Sequence, residues 1–143
     1  MNAESLVDTN VFLYALSDLA EEQAKAEQAR ELLLSENWGW SVQATGEFYH
    51  IATSAKRHFR LSHSSAMEYV TTWLKFPTAS LHPSAVLAAF KIRDRFQLSY
   101  WDAAIIAAAR ELGCWTIYSE DLSHGQDYDG VTVMNPFVPS PAA

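Results

Sequence analysis

The chain has 143 residues, of which 49% are hydrophobic and 19% are charged, with five glycines and five prolines. This length and balance predict one folded domain and exclude a disordered polypeptide and two domains of ordinary size. The net charge of −7 argues against a uniformly basic nucleic-acid-binding protein, and the single cysteine, Cys114, excludes an intrachain disulfide and predicts a buried, unreactive thiol.

Short apolar runs alternate with longer amphipathic stretches, which predicts alternating strands and helices. In chain order we predict a strand at 5–7, helices at 11–15 and 21–36, a strand at 38–41, helices at 42–55 and 64–75, a strand or extended connection at 78–81, helices at 83–96 and 100–112, and strands at 115–118 and 131–133. Pro77 ends the fourth helix, Pro83 suits the first turn of the fifth, and Gly113 ends the sixth.

The alternation of strands with long helices predicts the α/β class, with a central, mostly parallel sheet flanked by helices. Residues 1–137 form a single predicted domain, and 138–143 a loose carboxyl-terminal tail. In such sheets, ligands bind beyond the carboxyl ends of the strands. Asp8 directly follows the first strand and Asp121 follows the strand at 115–118 by three positions, so both are predicted at this edge.

Two acids have both a structural and a chemical interpretation. Asp8 can cap the helix that follows it or place a carboxylate at the ligand-binding edge of the sheet. Glu47 follows Ala44 and precedes Ile51 and Ala55 at helical spacing, so we expect it on the apolar side of its helix. A glutamate buried there must be protonated, paired with a base or bound to a metal, and these alternatives stay open.

Two further acids lie near the ends of apolar elements. Asp102 opens the apolar run Ala103–Ala109, in a first helical turn where the dipole stabilises a carboxylate by about 0.3–1 kcal/mol. This gain is small against the cost of burying a charge, so we expect a second partner for Asp102. Asp121 lies in a polar loop after a strand, and its neighbour Glu120 is an alternative candidate.

Carboxylates that converge repel one another, and the repulsion raises their pKa values unless a cation is bound. Mg²⁺ and Mn²⁺ accept such hard oxygen ligands. The five histidines form no HxxxH or HxH pair, which argues against a zinc site. We therefore predict a divalent-metal site formed by Asp8, Glu47, Asp102 and Asp121.

Positive charge is concentrated in the middle of the chain. Residues 56–95 carry a net charge of +5, whereas 1–55 and 96–143 carry −7 and −5. The bases form two clusters, one of Lys56, Arg57, His58 and Arg60 and one of Lys91, Arg93 and Arg95. Such clusters either contact the phosphates of a polyanion or form solvated helix faces.

Five segments carry a combined pattern. They are, in chain order, LVDTNVFLY at 6–14, TGEFY at 45–49, SYWDAAIIAAA at 99–109, YSEDL at 118–122 and NPF at 135–137. Together they resemble the PIN-domain family, and within it the VapC-like ribonuclease toxins of bacterial toxin–antitoxin pairs. The resemblance spans 6–137 and implies a three-layer fold with the sheet at its centre.

The resemblance implies a metal-dependent endoribonuclease that uses Mg²⁺, with Mn²⁺ as an alternative, and leaves a 5′-phosphate and a 3′-hydroxyl. It implies that Asp8, Glu47, Asp102 and Asp121 form the acidic site, with Asp8 and Asp102 as the expected direct metal ligands. Polar support would come from Thr9, Asn10 and Ser119. The expected RNA contacts are Lys56, Arg57, Arg60, Lys91 and Arg93. Members of the family often carry a larger polar residue at the position of Gly46, so a contact beside Glu47 is expected to differ in this chain.

The family also implies a homodimer and a cognate antitoxin protein that covers the active-site groove. Four aromatic residues are candidates either for these surfaces or for the core: Trp38, Trp40, Phe59 and Trp73. The alternative function is a non-catalytic, metal-stabilised RNA-binding or interaction module. A haloacid-dehalogenase-like phosphatase would need an acid where Asn10 stands, and a response-regulator receiver would need a lysine later than Lys91.

The sequence also bears on location in the cell. Met1–Glu4 lacks the basic and apolar regions of a signal peptide, and the longest uncharged apolar run is too short to span a bilayer. We therefore expect a cytoplasmic protein that does not contact a membrane.

Overall fold

The computed structural model describes residues 2–35, 37–58 and 60–138. Its elements are, in chain order, β1 Ser5–Val7, α1 Thr9–Ala15, a 3₁₀ turn Ala20–Glu22, α2 Gln23–Leu34, β2 Trp38–Ser41, α3 Val42–Ala52, α4 His63–Trp73, β3 Thr78–Ala79, α5 Pro83–Phe96, α6 Tyr100–Glu111, β4 Thr116–Tyr118, β5 Asp127–Tyr128 and β6 Val131–Met134. The predicted helices and strands are confirmed, with shifts at some of their ends. Glu36 and 139–143, which include most of the predicted tail, lie outside the described residues.

The strands form one six-stranded sheet in the order β3-β2-β1-β4-β6-β5. All neighbouring strands are parallel except β5 and β6, which pair antiparallel. Strand β5 is absent from the sequence prediction. It is joined to β6 by Asp129 and Gly130, whose φ angles of 55° and 98° suit a two-residue hairpin turn. The α/β prediction with a mostly parallel sheet is confirmed.

Alternate side chains of the central strands point to opposite faces of the sheet, so two hydrophobic cores form. On one face Leu6, Ile117 and Val133 pack with buried residues of α5 and α6. On the other face Val7 packs with Trp38 and buried residues of α1, α2 and α3. The result is a three-layer arrangement in which the carboxyl ends of β1 and β4 open towards the same edge.

The second core is mainly aromatic. Trp38 and Trp40 are fully buried, and the Phe12 ring lies 5.4 and 4.7 Å from theirs between centroids. Trp73 is half-buried and packs 4.8 Å from Phe12. Trp38 and Trp40 therefore belong to the core, and Trp73 packs against it with part of its side chain exposed. Phe59 lies outside the described residues.

Three helices begin at serine caps. The Ser41, Ser62 and Ser99 hydroxyls accept hydrogen bonds from backbone N–H groups three residues later, each at 3.1 Å. Such caps satisfy an otherwise unpaired donor and fix where a helix starts. The caps of α3 and α6 therefore set the positions of Glu47 and Asp102 along their helices.

Gly39 of β2 makes an unusually close approach to its neighbours. A Cβ atom at this position would lie 2.6 Å from the Pro77 carbonyl oxygen and 2.8 Å from Cδ1 of Leu112. The Trp40 amide donates to the same Pro77 carbonyl at 3.0 Å. Glycine is therefore required where β2 passes between the segment before β3 and the end of α6.

Cys114 is buried in the first core. Burial raises the pKa of its thiol to about 11, so the reactive thiolate is scarce at neutral pH. The structure agrees with the predicted unreactive thiol. Among the described residues, no helix combines the length and the apolar character needed to cross a lipid bilayer.

A charged cluster fastens the β5–β6 hairpin to the helices behind it. The Arg95 guanidinium donates two hydrogen bonds to the Asp129 carboxylate, at 2.6 and 2.9 Å. Arg110 donates to the Tyr128 carbonyl at 3.0 Å, and its guanidinium lies 3.7 Å from Asp129. The bidentate geometry fixes the hairpin turn against α5 and α6.

Hydrogen bonding to Arg95 lowers the pKa of Asp129 from its ordinary value of 3.8, so its stabilising effect is complete above that value and is lost as the pH falls through the lowered pKa. We expect Asp129→Asn to lower the Tm slightly at pH 7, by an amount that shrinks as the pH falls below 3.8. Asparagine tolerates the left-handed backbone of this turn. Thermal unfolding followed by circular dichroism from pH 3 to 7 measures the difference.

The control for this experiment is Asp94→Asn, which removes an exposed acid that lies 3.5 Å from Arg93 and has no bidentate partner of this kind. Its Tm should follow the wild type at every pH. An Asp129→Asn deficit that persists unchanged at pH 3 would contradict the assignment of the effect to the ion pair.

Candidate active site

Asp8 lies at the point where β1 ends and α1 begins. Its backbone N–H donates to the Tyr118 carbonyl of β4 at 3.0 Å, which continues the strand pairing. One carboxylate oxygen accepts from the Thr9 N–H at 2.8 Å, and the other accepts from the Ser119 hydroxyl at 2.9 Å. Asp8 is buried and Ser119 is fully buried. The helix-capping role and the position at the sheet edge therefore occur together.

The charge of Asp8 is unfavourable in its surroundings. Burial raises the pKa of the Asp8 carboxyl, and the nearby carboxylates of Asp121 and Glu47 raise it further. The hydrogen bonds from Ser119 and Thr9 oppose this shift without cancelling it. A cation beside these three acids would relieve both the burial penalty and the repulsion.

Glu47 lies at the rim of the site, and its predicted position on the apolar face of the helix is wrong. The buried face of α3 consists of Ala44, Phe48 and Ala52, whereas Glu47 is exposed. The expected stripe through Ile51 and Ala55 is exposed as well, because the ring of Phe48 packs into the aromatic core and sets the rotation of the helix.

Two hydrogen bonds orient the Glu47 carboxylate. Thr9 Oγ1 donates to Oε2 at 3.0 Å, and Gln43 Nε2 donates to Oε1 at 3.0 Å. Gln43 is a site residue that the sequence reasoning missed, although a Gln–Glu pair at i, i+4 on a predicted helix is a recognisable signal. Gly46 has open space where a side chain would start.

Asp121 and Glu120 are neighbours in sequence but have separate partners. The exposed Asp121 carboxylate accepts from Asn10 Nδ2 at 2.9 Å, and its N–H donates to Ser119 Oγ at 3.2 Å. Glu120 accepts from the Tyr14 hydroxyl at 2.9 Å and forms an ion pair with Lys25 of α2. Of the two acids, Asp121 is therefore the one held towards Asp8.

Asp102 lies in the first turn of α6, where its N–H is capped by Ser99. Burial raises the pKa of the Tyr128 hydroxyl, and the Asp102 carboxylate adds to that shift, whereas the carboxylates that raise the pKa of Asp8 are those of Asp121 and Glu47. Tyr100, Ala104 and Ala108 of the same helix line a cavity next to Asp8. The role of Asp102 as a metal ligand stays a prediction.

The side chains of the three predicted supporting residues each donate to the carboxylate of one acid. Ser119 donates to Asp8, Thr9 to Glu47 and Asn10 to Asp121. Two of them follow Asp8 directly, so the first turn of α1 orients carboxylates that belong to two other segments. In the part of the chain that the structure describes, the donors to the carboxylates of Asp8, Glu47 and Asp121 are thus hydroxyl and amide groups.

The donor chemistry fits a hard divalent cation. The structure supplies carboxylate oxygens around a buried, charge-strained Asp8, which are the ligands that Mg²⁺ prefers. Within residues 2–35, 37–58 and 60–138, no three His, Cys, Asp or Glu side chains lie close enough to hold a metal together. Mg²⁺ is usually bound by one or two carboxylates and several waters, so this arrangement remains compatible with it.

The cavity beside Asp8 is small. Its volume is about 40 Å³, and a cavity needs about 10–15 Å³ on the same measure to hold one water molecule. Thr9 and Glu47 form part of its wall, with Ser80 and Leu81 after β3. The cavity has room for an ion or a water molecule, so a larger ligand must lie across its mouth.

The predicted RNA-contacting bases lie on two parts of the surface. Arg57 donates to the Leu13 carbonyl at 3.4 Å and Arg60 to the Thr53 carbonyl at 2.9 Å, which fixes the segment after α3. Lys56 is exposed in that segment, and Lys91 and Arg93 are exposed on α5. Their contacts with RNA stay a prediction.

The comparison with protein families gives a match over most of the chain. Residues 5–125 match the model described as the PIN domain. The chain belongs to the PIN domain family. No match is found among curated protein sequences.

Several solved structures share this fold. FitAB bound to an IR36 DNA fragment has a TM-score of 0.71 at 17% identity, covering 95% of this chain and 97% of that chain. DNA-bound VapBC from Salmonella typhimurium has a TM-score of 0.64 at 16% identity, covering 92% and 96%. VapC20 of Mycobacterium tuberculosis, described as a toxin that cleaves the sarcin–ricin loop, has a TM-score of 0.62 at 18% identity, covering 82% and 89%. The likeness of this PIN domain to VapC-like proteins is confirmed at the level of the fold.

The strained charge of Asp8 gives a prediction for stability. We expect Asp8→Asn to be at least as stable as the wild type without metal, because the variant removes a carboxylate that burial and two neighbouring acids disfavour. Millimolar MgCl₂ should raise the Tm of the wild type by about 2–4 °C and leave that of Asp8→Asn unchanged. Differential scanning calorimetry measures both effects.

Glu27→Gln serves as the control for a general effect of negative charge, since Glu27 is exposed on α2. It should keep the full Mg²⁺ response. If Mg²⁺ stabilised Asp8→Asn as strongly as the wild type, the cation would bind elsewhere.

Proposed function

We propose that this PIN domain is a Mg²⁺-dependent endoribonuclease, with Mn²⁺ as an alternative cofactor, and the toxin of a toxin–antitoxin pair. The observation that carries the proposal is the buried Asp8 carboxylate at the sheet edge, with the Glu47 and Asp121 carboxylates close enough to raise its pKa. Membership of the PIN family and the fold shared with VapC20 support a nuclease.

In the proposed mechanism the protein binds the cation through Asp8 and Asp102, with Asp121 and Glu47 completing the negative site. When bound, a divalent cation supplies charge neutralisation at the scissile phosphate and lowers the pKa of a water molecule. The Ser119 hydroxyl and Thr9 N–H keep Asp8 in one orientation. The burial of Asp8 limits competition from bulk water and strengthens its interaction with a cation.

Glu47 is the residue best placed to take a proton from the attacking water. It is exposed at the mouth of the small cavity, and each of its carboxylate oxygens accepts one hydrogen bond, from Thr9 and Gln43. A carboxylate oxygen can accept a further proton or hydrogen bond. Attack of water in line with the P–O3′ bond would break that bond, and the departing 3′-oxygen would take a proton from solvent, which leaves a 5′-phosphate and a 3′-hydroxyl.

The proposed substrate is single-stranded or looped RNA lying across the cavity mouth. The cavity beside Asp8 is too small for a nucleotide, so the RNA strand must lie across the surface of the protein. The segment 56–60 and helix α5 supply exposed bases that can contact its phosphates. Because the proposed substrate is cellular RNA, we propose that the protein acts in the cytoplasm.

We also propose an antitoxin protein and a second copy of this chain as partners, since the structures with the same fold include toxin–antitoxin assemblies. The surface of α5 and α6 supports a self-association face. Leu87, Phe90 and Trp101 are 62%, 49% and 63% exposed there, and large apolar patches mark interaction sites.

The dimer proposal is tested by light scattering coupled to size-exclusion chromatography. The wild type should elute with a mass near twice 16.0 kDa, and Phe90→Lys should elute at the mass of one chain, because a buried lysine at the interface lacks a partner. Met67→Lys, which changes an exposed apolar residue of α4, should stay dimeric. A monomeric wild type would contradict the proposal.

The nuclease proposal is tested by sequencing RNA 5′ ends after a short induction and by assays of purified protein on the RNAs found. We expect Asp8→Asn and Asp102→Asn to lower the cleavage rate by more than about 100-fold, because loss of even an outer-shell partner costs about 10–100-fold at metal sites. The control Lys75→Ala removes an exposed cation outside the site and should cleave normally.

Full activity in either acid variant would overturn the site assignment. The alternative function, a non-catalytic module that binds RNA or another partner with a structural metal, predicts a different outcome. In that case calorimetry would show Mg²⁺ binding by the wild type, and no RNA in a broad panel would be cleaved.

A further inference from the structure

A second cavity lies beside the acidic site and has no part in the mechanism above. Its volume is about 290 Å³, close to the lower limit of about 300 Å³ for ligand pockets. The last turns of α1, the loop that follows it and the segment after α3 form its wall. The lining residues with polar side chains include Asn10, Tyr14, Asp18, Glu22, Arg57 and His58.

Two of these residues join the cavity to the acidic site. Asn10 lines the cavity and donates to the Asp121 carboxylate at 2.9 Å. Tyr14, one turn later on α1, lines it as well and donates to Glu120, the neighbour of Asp121. An RNA strand whose phosphate lies at Asp8 and Asp121 therefore has this cavity as an adjoining surface.

The cavity is already shaped by hydrogen bonds within the protein. The Ser17 hydroxyl donates to Glu22 at 2.6 Å and accepts from the Leu19 N–H at 3.2 Å, which fixes the loop after α1. Arg30 of α2 donates to the carbonyls of Ala15 and Ser17 at 2.7 and 3.1 Å. Little ordering is needed to bind a ligand in a preformed pocket.

The lining carries groups that suit different parts of a nucleotide. Arg57 and His58 provide nitrogen donors; a guanidinium has five donors, so a phosphate contact can exist beside the contact of Arg57 with the Leu13 carbonyl. The Tyr14 ring and the side chains of Leu13 and Leu19 provide apolar surface for a base. Asp18 and Glu22 provide carboxylate acceptors; an Asp18 oxygen lies 3.9 Å from Nε2 of His58, and one Glu22 oxygen already accepts from the Ser17 hydroxyl.

We propose that this cavity is a subsite for one nucleotide of the RNA next to the scissile phosphate. This inference rests on the proposed nuclease function and adds a determinant of sequence preference to it. The acceptors of Asp18 and Glu22 pair with exocyclic amino groups, as carboxylates do with the cytosine N4 amine. The subsite therefore favours bases that carry an amino group over uracil, while the donors of Arg57 bind the phosphate.

Binding of nucleoside monophosphates to the full-length wild type without added metal tests the subsite directly. Cytidine and uridine 5′-monophosphate form a matched pair, because cytosine carries an amino group where uracil carries a carbonyl. Ribose 5-phosphate is the control that lacks a base. NMR of the Asn10 side-chain amide and the Arg57 Nε–H should show saturable shifts, with cytidine monophosphate binding at least about fivefold more tightly than uridine monophosphate. Equal affinity for all three probes, or no saturable shift, would overturn the proposal.

Cleavage of a randomised RNA pool with Mg²⁺ provides a second test. The wild type should show a preference of at least about fivefold for amino-bearing bases at one position beside the cut, and Leu19→Trp, which fills the cavity, should reduce it below about twofold. Lys75→Ala should keep the preference. If Leu19→Trp kept the base preference of the wild type, the subsite would be refuted. If the wild type cleaved no RNA, the nuclease proposal itself would be refuted. The NMR measurement uses the wild type and does not depend on either variant folding.

Discussion

The arrangement of the site depends on one buried carboxylate held between two parallel strands. Asp8 ends β1, and its oxygens accept from the Thr9 N–H and from the Ser119 hydroxyl, which follows β4. The same hydroxyl oxygen accepts from the N–H groups of Asp121 and Leu122 at 3.2 and 3.4 Å. Ser119 therefore connects the charge on one strand with the loop that follows its neighbour. A negative charge placed in this way costs folding free energy, and such a cost persists where function requires the charge.

The remaining acids are placed by elements that the two cores hold in position. Phe48 fixes the rotation of α3 within the aromatic core, and this rotation leaves Glu47 at the rim. On the other side of Asp121, the ion pair between Glu120 and Lys25 ties the loop after β4 to α2, and the Lys25 ammonium also lies 4.8 Å from the Tyr14 ring centroid. Because exposed ion pairs contribute little to stability, the main effect of the Lys25–Glu120 pair is to orient the loop after β4.

The sequence predicted the elements and the edge of the sheet at which the acids lie, because hydrophobic periodicity and capping residues are local signals. It failed where a choice depends on residues far away. Helical spacing from Ala44 allows the buried face of α3 to run either through Glu47 and Ile51 or through Phe48. Only the packing of Phe48 against Phe12 and Trp73 selects the second face. Glu120 and Asp121 are indistinguishable by spacing, and Lys25, 95 positions away, separates them. Strand β5 was not predicted because it has only two residues and lies in a polar segment. The Asp129–Gly130 pair, which is typical of a hairpin turn, was the one local signal for it.

The close approach at Gly39 has a consequence for how this protein can diverge. A methyl group there would press on the Pro77 carbonyl and on Leu112, and relief would come from moving β3 outward or α6 sideways. Ser80 and Leu81, which follow β3, and Tyr100 and Ala108 of α6 are walls of the small cavity beside Asp8. The space available to an ion at Asp8 is thus set partly by a residue with no chemistry of its own. A survey of functional variants should therefore find position 39 as intolerant as the acids, even though glycine carries no side chain.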